Sequence, residues 1–140
     1  MTGPDPHISG KKRGLNGAVY PLGCHLADTA AIAGALWDLF LTPAQRTMIA
    51  HAWGIDETHA RQLVMLAAGL HDLGKATPCF QYDHLRLDPL GRGLEHVPDR
   101  TDLPHAYASG LTVPALLTEL GWDLDDATVQ MGQIVAGHHG

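Results

Sequence analysis

The stretch from Leu63 to Leu70 reads LVMLAAGL, eight apolar residues in a row that end on His71 and Asp72. Wound as a helix, this run is apolar on all sides, and such a helix belongs inside a domain. It is far short of the roughly 20 residues that cross a bilayer, so no membrane span is expected. The rest of the chain must therefore fold around this segment. Its exit is the costly part, because two polar side chains leave a buried helix and need something to satisfy them.

Amphipathic helices are available to surround it. From His25 onward, Leu26, Ala30, Ala33, Trp37 and Phe40 keep one helical stripe. Thr42 followed by Pro43 is an N-cap with proline at the first helical position, opening a helix toward Trp53 that closes at Gly54. Asp56 caps the buried helix, and Gly74 marks its expected C-terminal break, with a brief helical or irregular piece from Lys75 to Gln81. Pro104 opens a further helix through His105 and Ser109 to Leu120, with Pro114 a source of a kink and Gly121 as terminal glycine. A last helix runs from Asp125 to about Ala136. No Val/Ile/Thr alternation supports a sheet, so the fold class is all-α. Residues 1–17, with two prolines and the triplet Lys11, Lys12 and Arg13, read as a flexible lead-in to a domain spanning 18–140. Residues 82–103 read as a long surface loop, net acidic and without a basic patch.

A chain of 140 residues with 45% apolar and 17% charged residues is a globular domain of ordinary size. Its two cysteines, Cys24 and Cys79, make no framework, suit a reducing cytoplasm, and read as buried thiols. The net charge of −6 excludes strong nonspecific adhesion to nucleic acid, since that affinity comes from Lys and Arg. A polyanion would have to be met locally, and two divalent ions would bring about four positive charges to one spot.

Ten histidines against nine Lys and Arg together are the loudest compositional signal. A carboxylate beside an imidazole, as in His71–Asp72, can bridge two ions roughly 4 Å apart. Alone the dipeptide is weak, because Asp72 serves equally well as a helix cap. His25, His105 and the tandem His138 and His139 each lie at the start or end of an expected helix, near glycine or proline, and helix ends can converge on one cleft. The tandem, flanked by Gly137 and Gly140, has little packing rationale; the glycines let backbone approach closely or simply terminate a helix. A set of imidazoles and a carboxylate without thiolate disfavours a closed tetrahedral zinc site and suits manganese, iron, cobalt or nickel, with magnesium less natural.

HDLGKATPCFQ, from His71 to Gln81, resembles the HDxGK signature of the HD superfamily with the A...FQ continuation of the Cas3 HD nucleases of type I CRISPR systems. CHLADTA at Cys24 to Ala30, HAYAS at His105 to Ser109 and the closing GHHG are similar to that family's other histidine blocks, in the same order. The resemblance implies an HD-domain helical bundle with a metal site at its centre, cleaving single-stranded DNA in CRISPR interference. By the same matches His25, His71 and Asp72 would hold one divalent metal, and Asp72, His105, His138 and His139 a second. Asp28 would support His25, Lys75 would offset charge on the scissile phosphate, and Ser109 would contact phosphate or support the site. Implied partners are single-stranded DNA, a Cas3 helicase, fused or separate, and the Cascade complex. His7, His51, His59, His84 and His96 match no block and read as surface or capping residues.

The match departs from the family at the C-terminus, where members continue and supply a further metal-binding aspartate. The resemblance therefore implies an N-terminal part, incomplete at its C-terminal end, with packing surface exposed where later helices would lie. Two alternatives stay open: an HD phosphohydrolase of nucleotides, and an inactive fragment acting as a binding module.

Overall fold

The computed structural model describes residues 5–11, 18–78, 80, 81 and 103–139. Five α-helices carry the described fold: α1 (Leu22–Leu39), α2 (Pro43–Ala52), α3 (Glu57–Leu70), α4 (His105–Glu119) and α5 (Asp126–Ala136). Single turns of 3-10 helix follow α3 (Leu73–Ala76) and α5 (Gly137–His139). The expected loop over 82–103, His84, His96, Cys79, Gly140 and most of the basic triplet lie outside the described residues.

The helix starts follow their sequence signals. Thr42 and Gln45 form a reciprocal capping box on α2, and the Asp56 and Asp125 side chains accept from the backbone N–H groups of His59 and Thr128. Gly54 and Gly121 close α2 and α4 with φ of 66° and 93°, the left-handed conformation that glycine adopts without a Cβ clash. Pro114 does not divide α4, which runs unbroken to Glu119. The carbonyl left free by its missing N–H, that of Gly110, faces Gly132 of α5; a Cβ at Gly132 would stand 2.7 Å from that oxygen.

The lead-in reading needs correction at residues 9–11. Ser9–Lys11 form a strand, β1, that pairs antiparallel and irregularly with β2 (Tyr20–Pro21), and Ser9 is fully buried. This hairpin also moves the start of α1 three residues ahead of His25, because the Leu22 N–H donates to the Ile8 carbonyl at 2.6 Å. Three residues without alternation leave no periodic signal, which is why the strand was invisible in the pattern.

α3 is central, as its composition demands. Leu63, Leu66, Ala67 and Leu70 pack with Leu73 on a core of Val113, Leu117, Met131 and Val135 from α4 and α5. Val64 packs on a second core of Trp37, Ala50 and Ala60. Its residues 63–70 are nonetheless half-buried rather than sealed, since Met65, Gly69 and Leu70 also line an open apolar groove with Leu26 and Ala30 of α1. Phe40 leaves the α1 stripe and is 75% exposed, because it caps the helix after its last turn. Cys24 is exposed, not buried, since the α1 stripe turns it outward. No helix among the described residues is long and apolar enough to cross a membrane.

Candidate metal centre

Five imidazoles converge on one carboxylate. α1 brings His25 in its first turn, the end of α3 brings His71 and Asp72, the start of α4 brings His105, and the turn after α5 brings His138 and His139. α4 and α5 cross closely enough that a Cβ at Gly110 would lie 2.6 Å from that of Ala136, which sets the start of one helix beside the end of the other.

Asp72 is 3% exposed, and its two oxygens face different histidines. Oδ2 lies 2.8 Å from His25 Nε2 and 3.0 Å from His71 Nε2, and it accepts from Lys75 Nζ. Oδ1 lies 3.2 Å from His105 Nε2 and 3.4 Å from His138 Nε2. His139 Nε2 stands 2.9 Å from His105 Nε2. The donor atoms fall into two groups, each within 4.8 Å: His25, His71 and Asp72, and Asp72, His105, His138 and His139.

The hydrogen bonds behind these rings decide what they can hold. His71 Nδ1–H donates to the Ala68 carbonyl at 2.7 Å and His138 Nδ1–H to that of Val135 at 2.6 Å. In the neutral ring each Nε2 is then a bare lone pair aimed at a carboxylate oxygen. Burial lowers the pKa of His71 and of His105 against the pull of Asp72, with help from neighbouring cationic groups, so both rings favour the neutral form. Burial opposes ionisation of Asp72 too, but the Lys75 and His25 hydrogen bonds outweigh it and its pKa falls. Asp72 Oδ1 and His138 Nε2 are buried without a hydrogen-bond partner. Bare ring nitrogens facing a carboxylate at 3.0 and 3.4 Å form a site that a cation between them would satisfy. The residues fit a divalent metal.

Of the supporting side chains, Asp28 departs from expectation, and Ser109 takes the second of the two roles expected of it, support of the site. Asp28 does not reach His25; its carboxylate accepts from the Tyr20 hydroxyl, and the Tyr20 ring stands edge-on to His25 with centroids 6.2 Å apart. One turn along α1, Asp28 points to the β2 side instead. Ser109 is fully buried and out of a substrate's reach. Its Oγ accepts from Gly74 N–H at 2.8 Å and donates to the His105 carbonyl at 2.9 Å, tying the turn after Asp72 to α4. Gly74 itself is no helix terminator: α3 ends at Leu70, and a Cβ on Gly74 would stand 2.1 Å from the His105 carbonyl oxygen. Glycine is there for closeness to α4. Gly137 has open space around it, so close backbone approach does not explain the tandem's flanking glycine.

Lys75 reaches both Asp72 and the Gly10 carbonyl, the latter at 3.1 Å, and lies 5.8 Å from the Phe80 ring centroid. Phe80 also stands edge-on to His105 at 5.3 Å. Tyr20, Phe80, Ser9, Gly10 and Gln81 surround the site without having been singled out for a physical role. Of these, only the FQ pair at Phe80 and Gln81 carried a signal in sequence. His51 and His59 are exposed, as expected.

The sequence matches the family described as Cas3, HD domain, over residues 10–140. It is 32% identical over 135 residues to a CRISPR-associated nuclease/helicase Cas3 of Streptococcus thermophilus, covering 86% of this chain and 14% of that protein. It is 33% identical over 130 residues to a CRISPR-associated endonuclease/helicase Cas3 of Thermus thermophilus, again covering 86% of this chain and 13% of the relative. Among solved structures, AMPPNP-bound Cas3 of T. fusca superposes with a TM-score of 0.89 at 38% identity, over 97% of this chain and 15% of that one. A chain in a pre-nicking CRISPR RNA-guided surveillance complex superposes equally well, at 38% identity over 97% of this chain and 16% of its own length. The chain spans about a seventh of the curated relatives' length. With the family matched from β1 to the tandem histidines, this chain belongs to the Cas3 HD domain family.

Proposed function

We propose that this chain is a metal-dependent phosphodiesterase that cleaves single-stranded DNA, using two divalent transition-metal ions bridged by Asp72. The observation that carries the proposal is the Asp72 carboxylate itself: buried, ionised, and flanked on each oxygen by imidazole nitrogens, one of its oxygens lacking any hydrogen bond. His25 and His71 would hold one ion with Oδ2; His105, His138 and His139 would hold the other with Oδ1. Neutral, soft-to-borderline nitrogen donors favour manganese, iron, cobalt or nickel over magnesium. Such ions, when bound, supply an activated water and positive charge at the reacting phosphate.

The chain's own residues do the rest. The carbonyls of Ala68 and Val135 hold His71 and His138 in the tautomer that presents Nε2. Lys75 brings a cation to the rim, where it can offset charge on the scissile phosphate once Asp72 has other partners. Ser109 keeps the Asp72 turn and His105 in register without touching substrate. The relatives' names, nuclease/helicase and endonuclease/helicase, and the surveillance-complex neighbour support a setting in which a Cas3 helicase feeds the strand and Cascade recruits the assembly.

The test is metal analysis together with cleavage of single-stranded DNA in manganese, cobalt, nickel and magnesium, run beside Asp72→Ala. Cleavage that needs a transition metal and vanishes in Asp72→Ala is expected. Equal activity in both proteins, or turnover of nucleotides with indifference to DNA, overturns the proposal.

A further inference from the structure

Gln81 is 3% exposed and lies ten residues beyond His71, with no atom among the five imidazoles. Its side-chain amide is nonetheless fully engaged. Oε1 accepts from the Ser9 backbone N–H at 3.1 Å, while Nε2 donates to the Ser9 carbonyl at 3.0 Å and to the Lys75 carbonyl at 2.6 Å. The amide thus mimics a neighbouring strand for β1 on one side and caps the turn carrying Lys75 on the other. Only a primary amide both accepts and donates in this way, and Asn is one methylene too short to span the same three groups.

What β1 carries is the reason this matters. The Gly10 carbonyl, next to Ser9, accepts from Lys75 Nζ, which in turn reaches Asp72. Gly10 also presses on the first turn of α1: a Cβ there would lie 2.8 Å from the His25 Cβ and 2.9 Å from the Leu22 Cα. One residue therefore clasps the strand that backs His25 and anchors the main chain of the lysine that bonds Asp72.

We propose that Gln81 is a positioning residue of the metal centre, whose two-sided amide clasp on Ser9 and Lys75 sets His25 and Lys75 against Asp72. The inference rests on the metal reading above and adds a residue that ligates nothing. Buried groups that orient ligands at one remove typically change metal affinity by about ten- to a hundredfold when replaced. Ordinary structural support would loosen β1 without reaching the metal.

The experiment titrates the 140-residue chain with cobalt(II) and follows its visible d–d band, beside hydrogen exchange of the Ser9 amide. Gln81→Glu keeps the acceptor for Ser9 N–H but leaves the carbonyls of Ser9 and Lys75 without a donor. Cobalt should bind about tenfold or more weakly, with an altered band, while Ser9 exchanges faster and the helices stay protected. Ser9→Pro, which deletes one arm and leaves Gln81 intact, serves in the same titration should Gln81→Glu not fold. Cobalt affinity and band equal to wild type, with or without a loosened β1, overturn the proposal. A wild-type chain that binds no cobalt fails differently, sinking the metal reading and this inference together.

Discussion

Replacing Gly74 by alanine adds one methyl group at the most crowded point between the Asp72 turn and α4. The new Cβ would stand 2.1 Å from the His105 carbonyl oxygen, 2.6 Å from Ser109 N and 2.8 Å from the Ala108 Cβ. Ordinary contact begins at 3.4 Å, so the turn and the helix must part by about 1 Å. Two of the three obstacles are backbone, which has no rotamer to swing away. Overpacking of this kind costs about 1–3 kcal/mol, and stretching the buried Gly74–Ser109 hydrogen bond adds about 1 kcal/mol. A loss of about 3 kcal/mol, read by urea unfolding, is the expected result. His105 rides on the same turn of α4, 3.2 Å from Asp72 Oδ1, so cobalt affinity should fall together with stability. Gly137→Ala is the control, since nothing lies within 4 Å of its added Cβ and its φ is −80°. It should stay within about 0.5 kcal/mol of wild type. A Gly74→Ala protein as stable as Gly137→Ala, or one that binds cobalt as wild type does, refutes the packing argument.

Ser109→Ala removes the acceptor of a buried Gly74 N–H and should cost about 1–3 kcal/mol in urea unfolding, with weaker cobalt binding. Thr42→Ala breaks the α2 capping box and should cost about 1 kcal/mol while leaving the cobalt spectrum untouched, separating stability from the site. In chelator, the pH dependence follows from the lowered pKa of His71 and His105. Below the ordinary histidine value of 6.5 the unfolded chain takes up protons that these buried rings refuse, so stability should decline as pH falls through that region. A urea midpoint that rises between pH 7.5 and 5.5 contradicts this. Asp72 works at lower pH: its contribution is present above 3.8 and is lost below it.

The helices were legible because their signals are local. Thr42, Asp56 and Asp125 announce their caps, and LVMLAAGL cannot sit anywhere but against several neighbours. The histidine blocks were legible through family resemblance, while their spacing along the chain said only that helix ends were involved. What stayed hidden depends on distance between elements far apart in sequence. Ser9 gives no hint of its partner 72 residues away, and Asp28 sits one turn from His25 yet turns to Tyr20. Gly74 looked like a terminator because glycine ends helices more often than it admits a neighbouring backbone.

The proposed ligand set gathers His25 from the first described helix and His139 from the turn after the last, around the carboxylate of Asp72. No contiguous portion of the chain holds more than a fraction of it, so long loops must close before the second cluster exists, at an entropic cost that grows with their length. Metal uptake by this site would thus report on the finished topology. A chain whose α5 has not yet docked onto α4 lacks His138 and His139, and the second cluster is left with Asp72 and His105 alone. On the two-ion proposal, partly folded molecules should bind with lower stoichiometry, and uptake of a second ion would report that α5 has docked.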